Sequence, residues 1–165
     1  MKSLYIIRHA RALEKQYDQK DIDRELDPIG LQNSSRMGRY FYQEDLLPDA
    51  ILSSTASRAV SCASLIAEQI NFDTNRIQTV EEIYDAPVRV LLQKVNEIPD
   101  ENNSVFLVGH NPGVSYLAEY ITDEHIGPLT TCGVVKVTSD VESWAEIGSG
   151  NCKVEFYIYP DLLNF

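Results

Sequence analysis

Cysteine is scarce in this 165-residue sequence: Cys62, Cys132 and Cys152 are odd in number and far apart, with no C-x-x-C pair. That excludes a disulfide scaffold and a thioredoxin-like redox motif, and the three read as reduced thiols. Long apolar runs are also missing. No stretch approaches the roughly 18 apolar residues of a membrane span, and Arg8 interrupts the first apolar run too early for a signal peptide. The expectation is a cytoplasmic protein without membrane association. Positive charge is short as well: 14 Lys and Arg stand against 25 Asp and Glu, a net charge of -11. A nucleic-acid partner is therefore not expected, because neutralising phosphates takes a basic face. The eight glycines form no G-x-G-x-x-G, no G-x-x-x-x-G-K-[ST] and no G-x-S-x-G, which removes support for dinucleotide, P-loop and serine-hydrolase readings. The three histidines and three cysteines lie in different predicted elements, without the close spacing of a zinc site, so no metal and no cofactor are expected.

What is present is an ordinary globular composition, 44% hydrophobic and 24% charged, in a length that suits one domain over residues 1–165. Leu4 to Ile7 is a short apolar run of the kind that forms a strand buried on both faces. A polar stretch from Glu14 to Glu25 follows, too charged for a core. Asp27-Pro28 supplies an N-cap and a first-turn proline for a helix to about Asp45, ended by Pro48. Asp49 to Ser54 reads as a second strand, and Ala59, Cys62, Ala63, Ile66, Ala67 and Ile70 recur at helical spacing. Ile77 to Val80 is a weaker strand, Val88 to Glu97 a helix and Ser104 to Val108 a strongly apolar strand. Asn111-Pro112 starts a further helix with Val114, Leu117, Ala118 and Ile121 inward. Val134 to Thr138 and Lys153 to Tyr159 read as two strands pairing near an edge. Strand and helix alternation predicts an α/β three-layer sandwich with a mainly parallel sheet.

In open α/β sheets, ligands bind beyond the carboxyl ends of the strands. Strand one ends in Arg8-His9-Ala10, strand two in Ser53-Ser54-Thr55 with Arg58 one helical turn on, and the Ser104 strand in Gly109-His110-Asn111-Pro112. Nine of the 14 basic residues lie within the first 58, so the arginines available to an anion are mostly N-terminal. Arginine donates a planar fork of two hydrogen bonds to one anion, and a helix N-terminus after His110 adds backbone N–H groups. Together these describe an anion site. His125, in a loop after a helix, reads as a surface histidine.

Four segments, Tyr5-Ile6-Ile7-Arg8-His9-Ala10, Asp23-Arg24-Glu25-Leu26-Asp27-Pro28-Ile29-Gly30, Ser53-Ser54-Thr55-Ala56-Ser57-Arg58-Ala59 and Val108-Gly109-His110-Asn111-Pro112-Gly113, resemble the histidine phosphatase superfamily in order and spacing. More narrowly they resemble its small SixA-type branch, along nearly the whole chain to Tyr159-Pro160-Asp161-Leu162. The sequence departs from the superfamily at Ala10, where glycine is usual, and at Thr55, where proline is common. The resemblance implies a phosphoglycerate mutase-like fold without a lid subdomain. It implies His9 as nucleophile, Arg8, Arg58 and His110 around the phosphate, and Arg24, Ser54 and Asn111 as further substrate contacts. Ile83-Tyr84-Asp85 resembles the spacing that carries a general acid in larger relatives, which makes Asp85 the candidate, with Glu81 and Glu82 close by. The implied activity is a metal-independent phosphatase of a monomer working through a phosphohistidine intermediate on phosphohistidine of a protein. The alternatives are a phosphomonoesterase or mutase for a small phosphate ester, and a non-catalytic phosphate-binding module. Only nineteen residues, 85 to 103, separate Tyr84 from Ser104, enough for one helix but not for a lid.

Overall fold

Side chains alternate along a strand, and in β1 (Lys2–Arg8) this sends Leu4 and Ile6 to one face of the sheet and Tyr5 and Ile7 to the other, all four almost fully buried. The computed structural model describes residues 1–163; Asn164 and Phe165, the end of the expected domain, lie outside the described residues. After β1 come α1 (Pro28–Gln43), β2 (Ala50–Ser54), α2 (Ser57–Gln69), β3 (Gln78–Val80), α3 (Val88–Asn96), β4 (Ser104–Gly109), α4 (Gly113–Thr122), β5 (Val134–Ser139) and β6 (Lys153–Ile158). The six strands form one sheet in the order β3-β2-β4-β1-β5-β6. The first four run parallel, β5 is antiparallel to β1, and β6 is antiparallel to β5 at the edge.

The sheet separates two cores. Tyr5, Ile7, Ile51, Phe106 and Val108 pack against Met37 and Phe41 of α1 and the Ala59, Cys62, Ala63, Ile66 and Ala67 stripe of α2. Leu4, Ile6, Leu52, Val105 and Leu107 pack against Leu91 and Val95 of α3 and Val114, Leu117, Ala118 and Ile121 of α4. Phe41 sits 5.8 Å from the Tyr5 ring and 4.9 Å from Phe106. Losing such a buried aromatic costs about 3–5 kcal/mol. The predicted sandwich and its mainly parallel sheet are thus present, and between β3 and β4 stand only a single turn, Glu81–Ile83, and α3.

Local chemistry sets the element ends. The Asp27 carboxylate accepts the Gly30 N–H at 2.7 Å, capping α1 as the Asp-Pro pair predicts. Helix α4 begins one residue later than Asn111-Pro112 suggests, at Gly113. Asn111 does not cap it: its amide donates to the Leu129 carbonyl at 3.0 Å and its oxygen accepts from the Ser115 hydroxyl. Gly113 then lets the helix approach the loop ahead of α3, since a Cβ there would stand 2.3 Å from the Ala86 carbonyl oxygen.

Register brings three strand ends level. Arg8 pairs with Gly109 and Ser53 with Val108, and the His9 N–H continues the ladder to the Gly109 carbonyl at 3.1 Å. Because β4 lies between β2 and β1, the residues just past these strands emerge side by side. The antiparallel β5 starts at the same edge, and the Cys132 N–H donates to the His9 carbonyl at 3.1 Å.

Candidate active site

His9 leaves β1 into a nearly closed setting, with 9% of its surface exposed. Its Nδ1 lies 2.7 Å from the Ala10 carbonyl oxygen. A carbonyl only accepts, so Nδ1 carries the proton and Nε2 keeps its lone pair. Arg58 Nε donates toward that nitrogen at 3.3 Å. Burial pushes the His9 pKa down to about 3; the Ala10 hydrogen bond works against this, and His110, Arg58 and Arg8 push the same way with smaller weight. Desolvation, more than arginine charge, is thus what keeps His9 neutral.

His110 is 8% exposed and its ring centroid lies 5.0 Å from that of His9. Its Nε2 and the Ser54 Oγ are 2.8 Å apart, and the same Oγ accepts the Ala56 N–H at 3.1 Å. The Ser54 hydroxyl thus ties the His110 ring to the end of β2 through Nε2. Burial, and next the Arg58 charge, bring the His110 pKa down to about 4, with Asp21 opposing and Arg8 adding a little. Tyr84 stands edge-on to this ring at 5.4 Å.

Arg8 donates through Nη1 to the Leu129 carbonyl at 2.9 Å, while its buried Nε has no partner among the described residues. A buried guanidinium N–H without an acceptor is costly unless an anion completes it. Arg58, 5% exposed, is engaged at its far end by one residue: Nη1 donates to the Asp21 carbonyl oxygen at 2.7 Å and Nη2 to the Asp21 carboxylate at 2.9 Å. The same carboxylate accepts from Arg24 Nη1 at 3.1 Å and from the Tyr84 hydroxyl. It is held well below the usual carboxylate range, first by the Tyr84 hydrogen bond and then by Arg58 and Arg24.

These groups border a cleft of about 360 Å3 lined by Arg8, His9, Arg11, Ala12, Arg24, Arg58, Tyr84, Asp85, His110, Asn111 and Thr131. The structure therefore gathers Arg8, His9, Arg24, Arg58, Asp85, His110 and Asn111 at one place. Ser54 stands behind His110 rather than on the cleft wall, and the Asn111 side chain is occupied by Leu129 and Ser115. Glu82 turns to α3, pairing with Lys94 at 2.8 Å, and neither it nor Glu81 lines the cleft. The His125 side chain is 93% exposed and pairs with Glu119 at 3.2 Å.

Sequence reasoning missed Asp21, Tyr84, Arg11, Thr131 and the Leu129 carbonyl. The one local signal for Asp21 is its turn spacing to Arg24; Thr131 reaches the cleft and the Leu129 carbonyl reaches Arg8 because β5 is antiparallel, which periodicity does not reveal. Among the described residues no three His, Cys, Asp or Glu side chains gather as a metal would require, and no helix is long and apolar enough to cross a membrane.

Comparison with known proteins places this arrangement. The structure of the protein histidine phosphatase SixA complexed with tungstate superposes with a TM-score of 0.85 at 21% identity, covering 98% of this chain and 99% of that one. A protein from Agrobacterium tumefaciens assigned as phosphohistidine phosphatase SixA superposes at 0.83 with 24% identity, covering 96% and 98%. A phosphoserine phosphatase mutant from Entamoeba histolytica in complex with phosphoserine shares the fold at 0.69 with 15% identity, covering 95% and 96%. The sequence matches the model of the histidine phosphatase superfamily (branch 1) over residues 4–86. That is 83 of 165 residues, and the span contains Arg8 and His9, the Asp21 to Arg24 segment, Arg58 and Asp85. The coarse chemistry that these likenesses support is that of a phosphatase with a histidine-based mechanism. The chain thus belongs to the histidine phosphatase superfamily, branch 1.

Proposed function

We propose that this protein removes phosphate from phosphohistidine of a protein, as the SixA likeness suggests. The observation that carries the reading is the His9 imidazole: buried, neutral, its proton committed to the Ala10 carbonyl, its Nε2 lone pair facing a guanidinium. A nitrogen in that state is a nucleophile, and the surrounding donors suit a phosphoryl group better than a neutral ligand.

In the proposed cycle His9 Nε2 attacks phosphorus in line as the P–N bond to the substrate imidazole breaks. The equatorial oxygens, over which transition-state charge spreads, take N–H groups of Arg8, Arg58 and His110. A substrate imidazole protonated on its other ring nitrogen leaves neutral, so little acid assistance is required. Water then attacks the phosphorylated His9, releasing phosphate and restoring the Nε2 lone pair. Positioning and electrostatics supply the acceleration, from side chains that are already hydrogen-bonded in place.

The absence of a lid between Tyr84 and Ser104 supports a macromolecular substrate. Small-molecule pockets usually enclose about 70% or more of their ligand, and a single short helix at this point gives little enclosure. A protein partner provides the missing contact itself. Asp85, exposed at the cleft rim, is the proposed acid for slower hydrolysis of esters, whose alkoxide needs a proton.

The test is turnover of one preparation on a phosphohistidine protein, free phosphohistidine and a sugar phosphate. The phosphohistidine protein is expected to give the highest kcat/KM. A preference for the sugar phosphate replaces this reading with a small-ester phosphatase, and failure to form an acid-labile, alkali-stable phosphoenzyme replaces it with a binding module.

A further inference from the structure

Arg58 arrives at the cleft from the first turn of α2, and a side chain of that length carries about 2 kcal/mol of rotamer entropy when free. Three hydrogen bonds to two neighbours restrain it. His9 Nε2 receives its Nε–H, and Asp21 receives both terminal nitrogens, one on its backbone oxygen and one on its carboxylate. Asp21 is in turn held by Arg24 Nη1 on one carboxylate oxygen and by the Tyr84 hydroxyl on the other. Those partners come from the segment ahead of α1 and the exit of β3, elements far apart in the chain.

A guanidinium offers five N–H groups in a rigid fork. With two consumed at the far end, the Nε side remains directed at the nitrogen on which a phosphoryl group would be formed. We infer that Asp21 is a positioning residue that grips Arg58 from behind and keeps its Nε edge on the reaction coordinate, with Tyr84 and Arg24 fixing the grip. This rests on the phosphatase reading above.

The charge balance agrees with that role. Arg8, Arg11, Arg24 and Arg58 all border one cleft, and without a carboxylate among them they repel one another. An unpaired carboxylate would repel phosphate, but both oxygens of Asp21 are turned to donors. Asp21 therefore lowers the cost of gathering arginines while leaving Arg8 Nε and Arg58 Nε for the anion.

The inference is tested with tungstate as anion probe, by calorimetry on the full chain, alongside turnover. Asp21→Ala is expected to weaken tungstate binding about tenfold and to lower kcat about 10 to 100-fold, with the loss in kcat exceeding that in KM. Asp21→Asn, which keeps one oxygen for Arg58 but loses the charge and turns an amide N–H toward a donor, is expected to fall between Asp21→Ala and the unaltered protein. In an Arg58→Ala or Arg58→Lys background, adding Asp21→Ala is expected to change tungstate affinity less than about twofold, because the residue acts through the arginine fork. Equal weakening in both backgrounds overturns the inference in favour of a purely structural role. Tighter tungstate binding by Asp21→Ala also overturns it, making Asp21 a rival anion. If no phosphate compound is turned over, the functional reading fails, while the tungstate coupling still decides the role of Asp21.

Discussion

The Nε–H of Arg58 points at Nε2 of His9 across 3.3 Å. The two residues are 49 positions apart in sequence, and neither finds this partner from local structure. Burial is the main reason the imidazole is neutral, and the cation beside its lone pair adds to that.

His9→Ala is expected to abolish turnover and phosphoenzyme formation while the fold persists. The replaced ring bonds to its own neighbour's carbonyl and receives Arg58 Nε, and it lies at a strand end rather than within either core. Circular dichroism with a single-turnover phosphodonor assay checks it: near-normal hydrolysis by the folded variant removes His9 as nucleophile.

Arg58→Ala is expected to lower kcat about 10² to 10³-fold, the scale for removing one preorganised donor to transition-state charge. A change confined to KM would show that Arg58 binds ground and transition states alike.

The pH dependence follows from burial. Burial carries His9 from the ordinary histidine value of 6.5 to about 3 and His110 to about 4. With the substrate's own ionisation corrected for, kcat/KM is expected to stay level from neutral pH to about pH 5 and to fall below about pH 4. A limb centred near 6.5 would mean that the imidazoles are not held neutral.

Stability should move over a wider window. Both histidine pKa values are depressed by folding, so the unfolded chain takes up protons first as pH drops below 6.5. The folded state then loses on the order of several kcal/mol as pH falls from about 6.5 toward the folded pKa values. Asp21, whose pKa folding also lowers, adds a loss below the ordinary carboxylate range. Denaturant melts at about pH 7 and about pH 5 test this; equal midpoints would contradict it.

Asp85→Ala is expected to reduce ester hydrolysis more than phosphohistidine hydrolysis, because only the alkoxide requires a proton from the protein. The measurement is the ratio of the two kcat/KM losses, and equal losses would assign Asp85 a role in binding.

The sequence by itself determined the elements and the strand ends. Caps, apolar periodicity and short buried runs act over a few residues, so Asp27-Pro28, the α2 stripe and the Ser104 to Val108 strand are legible from spacing alone. Because parallel strands deliver their carboxyl ends to one edge, Arg8, His9, Arg58 and His110 could be grouped before any coordinate was known. Only the tertiary structure decided how they meet. Strand order β2-β4-β1 put Ser54 behind His110; the antiparallel β5 brought Leu129 to Arg8; and the polar stretch before α1 folded back so that Asp21 met Arg58, 37 residues on, and Tyr84, 63 residues on. Hydrogen bonds between distant residues leave no periodic trace in a chain. Burial, which sets the two histidine pKa values, is a property of the whole packed domain and not of any segment.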